Sequence, residues 1–224
     1  MKSIIIAIDG PAGSGKSTTA KIVAEKLGYV YIDTGAMYRA VTLAWLRQND
    51  LLEENLICSM LTGINIKLKT SENGQKTFLN NEDVSEEIRK PGVTKFVSPI
   101  SAIGCVREKL VEMQRKLGEN GGVVMDGRDI GTVVFPNAEL KIFLVASVEA
   151  RAKRRYLELY SKGFLESEEN IKIQIIERDK FDSSRKISPL MKAHNAVEVD
   201  TSSLTIAEQT NRVLNLALEI INLQ

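Results

Sequence analysis

Gly10-Pro-Ala-Gly-Ser-Gly-Lys-Ser17 has the residue types and spacing of a phosphate cradle, G-x-x-x-x-G-K-[ST]. The glycines accept positive φ at no steric cost, so the backbone can wrap an anion. Their N–H groups then face inward at the start of a helix, where the helix dipole also favours negative charge. Gly10, Pro11, Ala12, Gly13, Ser14, Gly15, Lys16, Ser17 and Thr18 are therefore expected to hold a nucleoside triphosphate. Lys16 would reach the β/γ-phosphates and the Ser17 hydroxyl would ligate Mg²⁺. The loop does not say what receives the phosphate.

Four further sites could. Asp33-Thr-Gly-Ala-Met-Tyr-Arg39 follows a short apolar run, and ligands of open α/β sheets gather at the carboxyl ends of strands. Val124-Met-Asp-Gly-Arg-Asp129 stands in the same position after a second run, and Asp126 there is placed to hold a magnesium-bound water. In Arg178-Asp179-x-x-Asp182-x-x-Arg185, Arg178 and Asp182 are four apart and share a helix face. Ser98 and Arg107 form the fourth site. Taken singly, such pairs are more often surface salt bridges. Beside a phosphate loop they fit phosphoryl transfer, which needs positioning and positive charge rather than a nucleophilic side chain. His194, the single histidine, has no Ser or Cys partner pattern and reads as structural.

The elements that must position these residues alternate as strand and helix, the mark of a parallel α/β sheet. Strands are expected at Ile4–Asp9, Tyr29–Asp33, Val123–Asp126, Leu140–Ala146 and Ala196–Asp200. Helices are expected at Lys16–Leu27, Ala36–Arg47, Val106–Leu117, Ser147–Tyr160, Glu168–Phe181 and Thr205–Leu223. Gly28 should stop the first helix, Thr34 or Gly35 lies near the cap of the second, and Ser147 caps the fourth. Ile64–Thr70 and Lys76–Leu79 read as extended, joined at Asn73-Gly74, a strong hairpin pair. An antiparallel hairpin inside a parallel chain marks an insert, placed at about residues 36–105.

At 224 residues, with 43% hydrophobic and 26% charged content, the chain fits one globular domain carrying such a lobe. A net charge of +1 argues against a general binder of nucleic acid or membrane surface. No stretch is long enough to span a bilayer. Cys58 and Cys105 are far apart without metal spacing, and are expected to be reduced, buried thiols in a cytosolic protein. A monomer is the default.

The chain resembles the bacterial-type cytidylate kinases, a family of phosphate-loop nucleoside monophosphate kinases. The resemblance rests on Asp9–Ser17, Asp33–Arg39, Asp83-Val-Ser-Glu-Glu-Ile-Arg89, Asp126-Gly-Arg-Asp-Ile-Gly-Thr-Val-Val-Phe-Pro136 and Glu177–Arg185, in family order over essentially the whole chain. It implies a three-layer α/β fold: a core of residues 1–35 and 106–224, an inserted monophosphate-binding lobe at 36–105 and a helical lid at about 151–190. It implies transfer of the γ-phosphoryl group of ATP to CMP or dCMP, with Mg²⁺, in the cytoplasm. Residues matching Arg39, Arg128 and Arg185 would grip the acceptor phosphate, with Thr34 beside them. Those matching Ser98, Arg107 and Asp129 would read cytosine, whose N4 amino group donates to a carboxylate and whose O2 and N3 accept from Arg or Ser. Arg178 and Asp182 would contact sugar and phosphate. Arg151 and Arg155 would meet ATP, and Lys16, Arg128, Arg178 and Arg185 would carry the catalytic charge. Asp126 and Asp33 would hold the metal through water. Phe181 and Ser183 stand where relatives are often basic, which makes this lid less positive. A kinase of UMP, AMP or shikimate is the nearest competing reading. A GTPase-type switch fits less well, because the chain has no N-K-x-D sequence.

Overall fold

A computed structural model describes residues 3–48, 51–71, 74–161 and 163–223. In chain order the elements are β1 (Ile5–Asp9), α1 (Lys16–Leu27), β2 (Val30–Asp33), α2 (Thr34–Gln48), α3 (Glu54–Met60), β3 (Ile66–Ser71), β4 (Gly74–Leu79) and β5 (Glu82–Asp83). They continue as α4 (Pro91–Ser101), α5 (Gly104–Gly118), β6 (Val123–Gly127), β7 (Leu140–Val145), α6 (Val148–Ser161), α7 (Glu168–Ser184), β8 (Val197–Asp200) and α8 (Ile206–Asn222).

The central sheet has the order β2-β6-β1-β7-β8, with every pair parallel. The period-two alternation of β1 explains its two covered faces. Ile4, Ile6 and Ile8 join Val23, Val213 and Ala217 of α1 and α8 on one side, while Ala7 joins Met125, Ile130 and Val134 on the other. Fully burying each such isoleucine contributes about 1.5–3 kcal/mol. The result is the expected three-layer α/β fold. Its register matters for function: Asp9 lies opposite Gly127 of β6, so the phosphate loop after β1 and the Arg128–Asp129 turn after β6 leave the sheet side by side.

A second sheet, β3-β4-β5, is antiparallel, with Ser71 paired to Gly74. The expected hairpin therefore forms; Asn73 of its turn lies outside the described residues. Two helices have no counterpart in the sequence reading, α3 and α4. Pro91 at the first turn of α4, where a missing N–H costs nothing, was the available signal. Val93, Val97 and Ile100 of α4 pack with Met37, Val41 and Trp45 of α2 and with Val106 and Leu110 of α5. Trp45 and Phe96 meet edge-on at 5.1 Å. Besides the apolar packing of Ile66, Leu68 and Leu79, one polar side chain ties the hairpin to β2: Gln75 Nε2 donates to the Tyr31 carbonyl at 2.5 Å, and Gln75 Oε1 accepts from Asp33 N–H at 3.0 Å. This amide fills the next rung beyond β2, the edge strand of the main sheet.

One expectation is overturned. Cys58 and Cys105 are not reduced, separate thiols but a disulfide, with Cα atoms 5.9 Å apart. The 47-residue separation concealed the contact, which exists because α3 packs on the start of α5. Both cysteines are half-buried.

The predicted caps hold where they can be read. Gly28 ends α1 in the left-handed region, and Ser147 Oγ accepts from Ala150 N–H at 3.2 Å. α6 and α7 pair through Ala152, Leu159, Ile171 and Ile175.

Candidate active site

The phosphate loop is shaped by crowding as much as by φ. Gly10 has φ +145°, and a Cβ there would lie 2.0 Å from the Leu144 carbonyl oxygen of the neighbouring strand. No other residue fits. Lys16 is buried, and its Nζ donates to the Pro11 carbonyl at 2.6 Å, curled back into the loop. Burial first, then the Arg128 charge, pull its ammonium well below the ordinary lysine range. Thr201, after β8, braces the loop from outside by donating to the Ser14 carbonyl at 3.0 Å.

Ser17 and Asp126 meet as the sequence implied, the hydroxyl donating to the carboxylate at 2.8 Å. Tyr31, missed in the sequence reading, donates to the other Asp126 oxygen at 2.9 Å. It lies two residues before Asp33 on the same strand, hence on the same face. Burial, then the nearby Asp33, raise the Asp126 carboxyl. Asp33 is engaged locally: one oxygen accepts from Ala36 N–H at 2.9 Å, and the other pairs with Arg89 at 3.1 Å. Thr34 Oγ1 donates to the Asp126 carbonyl at 2.7 Å, which joins the ends of β2 and β6.

The arginines gather beyond this cluster. Arg128 Nε donates to Asp182 at 2.9 Å, while Arg178 sits 4.0 Å from the same carboxylate. The helix-face partners named from spacing are thus joined by a third residue from the end of β6. Burial works to raise Asp182, but Arg128 and Arg178 hold it below the usual carboxylate range. Burial, then the Arg128 charge, lower Arg178 to about 9. Burial also lowers Arg39 to about 10 against the pull of Asp33, with Arg89, Arg155 and Arg128 adding to the fall. Arg39 itself donates to Thr94 Oγ1 at 2.8 Å. Burial is the main cause of both shifts and the neighbouring guanidiniums add to it, as befits cations gathered at a site for an anion.

Arg107 and Asp129 form a second group. Their side chains pair directly and are 4% and 5% exposed. Arg107 Nη1 also donates to the Ser101 carbonyl at 3.1 Å, and Ser101 Oγ donates to the Ser98 carbonyl at 2.9 Å, which sets Ser98 one helical turn away. The Arg107 guanidinium lies 5.5 Å from the Tyr38 ring centre. Arg185 is lowered by burial and then by the Arg107 charge, which places it between the two groups. Among the described residues, Arg107 Nε, Arg178 Nε and Arg185 Nη2 are buried donors with no hydrogen-bond partner. Donors in that condition are costly unless a ligand satisfies them.

Arg151 lies in the protein interior. It is buried, donates to Ala12 of the phosphate loop at 3.2 Å and to Ala146 at 3.0 Å, and pairs with Asp179 of α7 at 2.6 Å. Arg155 pairs with Glu158 at 2.7 Å on the open side. His194 lies exposed in the turn before β8.

Residues 6–219 match a family model described as cytidylate kinase. A cytidylate kinase of Bacillus subtilis (strain 168) is 55% identical over 214 residues, covering 95% of this chain and 96% of that protein. One of Bacillus anthracis (strain A0248) is 53% identical over 220 residues, covering 98% of each. A shikimate kinase structure from Bacteroides thetaiotaomicron aligns over 96% of this chain and 98% of its own at 15% identity and a TM-score of 0.49, too slight a likeness to argue from.

Proposed function

The chain belongs to the cytidylate kinase family, and from that premise we propose that it catalyses ATP + CMP ⇌ ADP + CDP, with dCMP as an alternative acceptor. The observation that carries the assignment to these residues is the pair of buried ionic groups at one sheet edge, Arg107–Asp129 and Arg128–Asp182–Arg178, next to the phosphate loop.

The loop residues Gly10–Thr18 hold the triphosphate, with Lys16 turning from Pro11 to the phosphates. Arg151 fixes the loop from beneath, and Arg155 meets ATP from the lid. Arg39, Arg128 and Arg185, with Thr34, hold the acceptor phosphate. Asp182 accepts from a sugar hydroxyl. Asp129 accepts from cytosine N4, while Arg107 and Ser98 serve its acceptors. Lys16, Arg128, Arg178 and Arg185 spread the charge that develops on the transferring group. The core is residues 1–35 and 106–224. The lobe at 36–105 closes on the monophosphate and the lid at 151–190 on ATP, which excludes water and aligns the reactants.

Mg²⁺ fits the chemistry of the donors present: Ser17 and Asp126 offer hard oxygens in contact with each other, and Asp33 lies near enough to raise Asp126. Among the described residues no cluster of three or more His, Cys, Asp or Glu side chains forms a metal cage, so phosphate oxygens and water would complete the shell. The ion supplies charge neutralisation to the β/γ-phosphates when bound.

Among the described residues no helix is long and apolar enough to cross a membrane. A cytoplasmic monomer acting in pyrimidine metabolism fits these substrates. An ADP-release assay with ATP and Mg²⁺ against CMP, dCMP, UMP, AMP and shikimate tests the reading. Fast turnover confined to CMP and dCMP is expected. Preference for another acceptor would keep the phosphate loop and discard the base-reading roles.

A further inference from the structure

Asp9 links the end of β1 to the turn that follows β6. It ends β1 and is buried, immediately before Gly10 of the phosphate loop. Its carboxylate does not face that loop's backbone. One oxygen accepts from Ile130 N–H at 2.8 Å and the other from Gly131 N–H at 2.7 Å. These two amides open a single π-helical turn, Ile130–Val134, whose preceding residue is Asp129. The Asp129 carbonyl accepts from Val133 and Val134, so the turn is hydrogen-bonded back to Asp129. N–H groups in the first turn of a helix have no partner within it, and here a carboxyl group from another strand supplies it. The turn packs closely here: a Cβ on Gly131 would lie 3.2 Å from Lys141 Cδ and 3.4 Å from the Asp9 carboxylate.

The placement has a chemical consequence. Arg128 and Asp129 sit just before the gripped amides, and they lead to the Asp182 and Arg107 partners respectively. A strand-end carboxylate thus sets the position of one acceptor-phosphate residue and one base-reading residue relative to the loop that holds the donor. Holding reactive groups within a fraction of an ångström is where much of the rate of a transfer between two bound substrates arises. Burial raises the Asp9 carboxyl to about 7, opposed by the two N–H groups, with Asp129 adding to the rise and Lys16 opposing it.

We propose that Asp9 is a positioning residue for acceptor recognition, acting through the Ile130 and Gly131 amides on Arg128 and Asp129. This rests on the acceptor assignment above. The test is D9N, whose amide offers one acceptor oxygen in place of two. Loss of one charge-assisted bond predicts a fall of about 10- to 100-fold in kcat/KM for CMP and a loss of most of the CMP-over-UMP preference, with KM for ATP held within about threefold. Hydrogen exchange of residues 128–134 in the unliganded protein should quicken, a readout independent of any substrate. An unchanged CMP-over-UMP ratio with unchanged exchange would overturn the proposal, as would equal rises in KM for both substrates. D9S is the second variant; failure of both to fold would make Asp9 a folding requirement and overturn the positioning role. Wild-type protein that does not prefer CMP would refute the acceptor assignment instead, and the exchange result would then decide whether Asp9 holds the turn.

Discussion

Arg107 of α5 and Asp129 after β6 pair with each other in the protein interior, with hardly any exposed surface on either side chain. The two groups assigned to the base are thus already engaged, so recognition consists of a base entering beside a preformed pair. Removing one partner leaves the other charge buried and uncompensated, at a cost of about 3–5 kcal/mol. D129A should therefore lose stability as well as base discrimination, with a melting temperature lower by roughly 10 °C. D129N, which keeps the shape and part of the hydrogen bonding, should lose discrimination with a smaller fall in stability. Thermal melts and CMP and UMP kinetics on both variants separate the two effects. Equal loss toward both acceptors would remove Asp129 from base reading.

Arg151 supports the phosphate loop from beneath through Ala12 and Asp179. R151A should raise KM for ATP by more than about tenfold while KM for CMP stays within about threefold. A parallel rise in both constants would show general damage rather than support of the loop.

Among the described residues the buried Arg185 Nη2 has no hydrogen-bond partner, and Arg185 Nε donates to the Ser188 carbonyl at 2.5 Å. R185A should lower kcat by roughly 10²-fold or more while the melting temperature moves by only a few degrees. Near-normal turnover would exclude Arg185 from the site.

The disulfide closes a separation of 47 residues and links α3 to the helix that carries Arg107. In the chain-entropy account a closure of this length contributes about 4 kcal/mol. Urea unfolding with and without dithiothreitol should show that difference, and C58S should reproduce the reduced protein. Coincident curves would mean that the bridge is not formed in solution.

Asp9 gives a pH signature with a definite sign. Its carboxyl is raised from 3.8 to about 7 on folding, by burial above all. The stabilising contribution is therefore complete below the unfolded value and is lost as pH rises through about 7. Between pH 5 and 8 this one group should lower the unfolding free energy by about 2 kcal/mol. D9N should flatten that part of the profile. Urea titrations at pH 5 and pH 8 on both proteins check it, and identical slopes would contradict it.

Much of this was legible in the chain because local signals carried it. The Ile-rich run before Gly10, the caps at Gly28 and Ser147 and the hairpin pattern all act over a few residues, and each element formed. What escaped was set by contacts between distant residues. Gln75 fills the edge of β2 through a side chain, and nothing in its neighbourhood marks it. Cys58 meets Cys105 only because two helices pack. The resemblance set Arg151 against ATP, but no local signal marks its bond to the phosphate loop itself, more than a hundred residues earlier. Tyr31 was the exception, since its spacing from Asp33 put both on one strand face.

If Arg107 and Asp129 read the base, this protein prefers CMP to UMP as acceptor. Equimolar CMP and UMP should compete for limiting ATP in one reaction, with CDP and UDP separated and counted. Cytosine presents a donor where uracil presents an acceptor, so CDP should exceed UDP by at least about tenfold, and the excess should collapse in D129N. Equal yields of CDP and UDP from the wild-type protein would contradict the account.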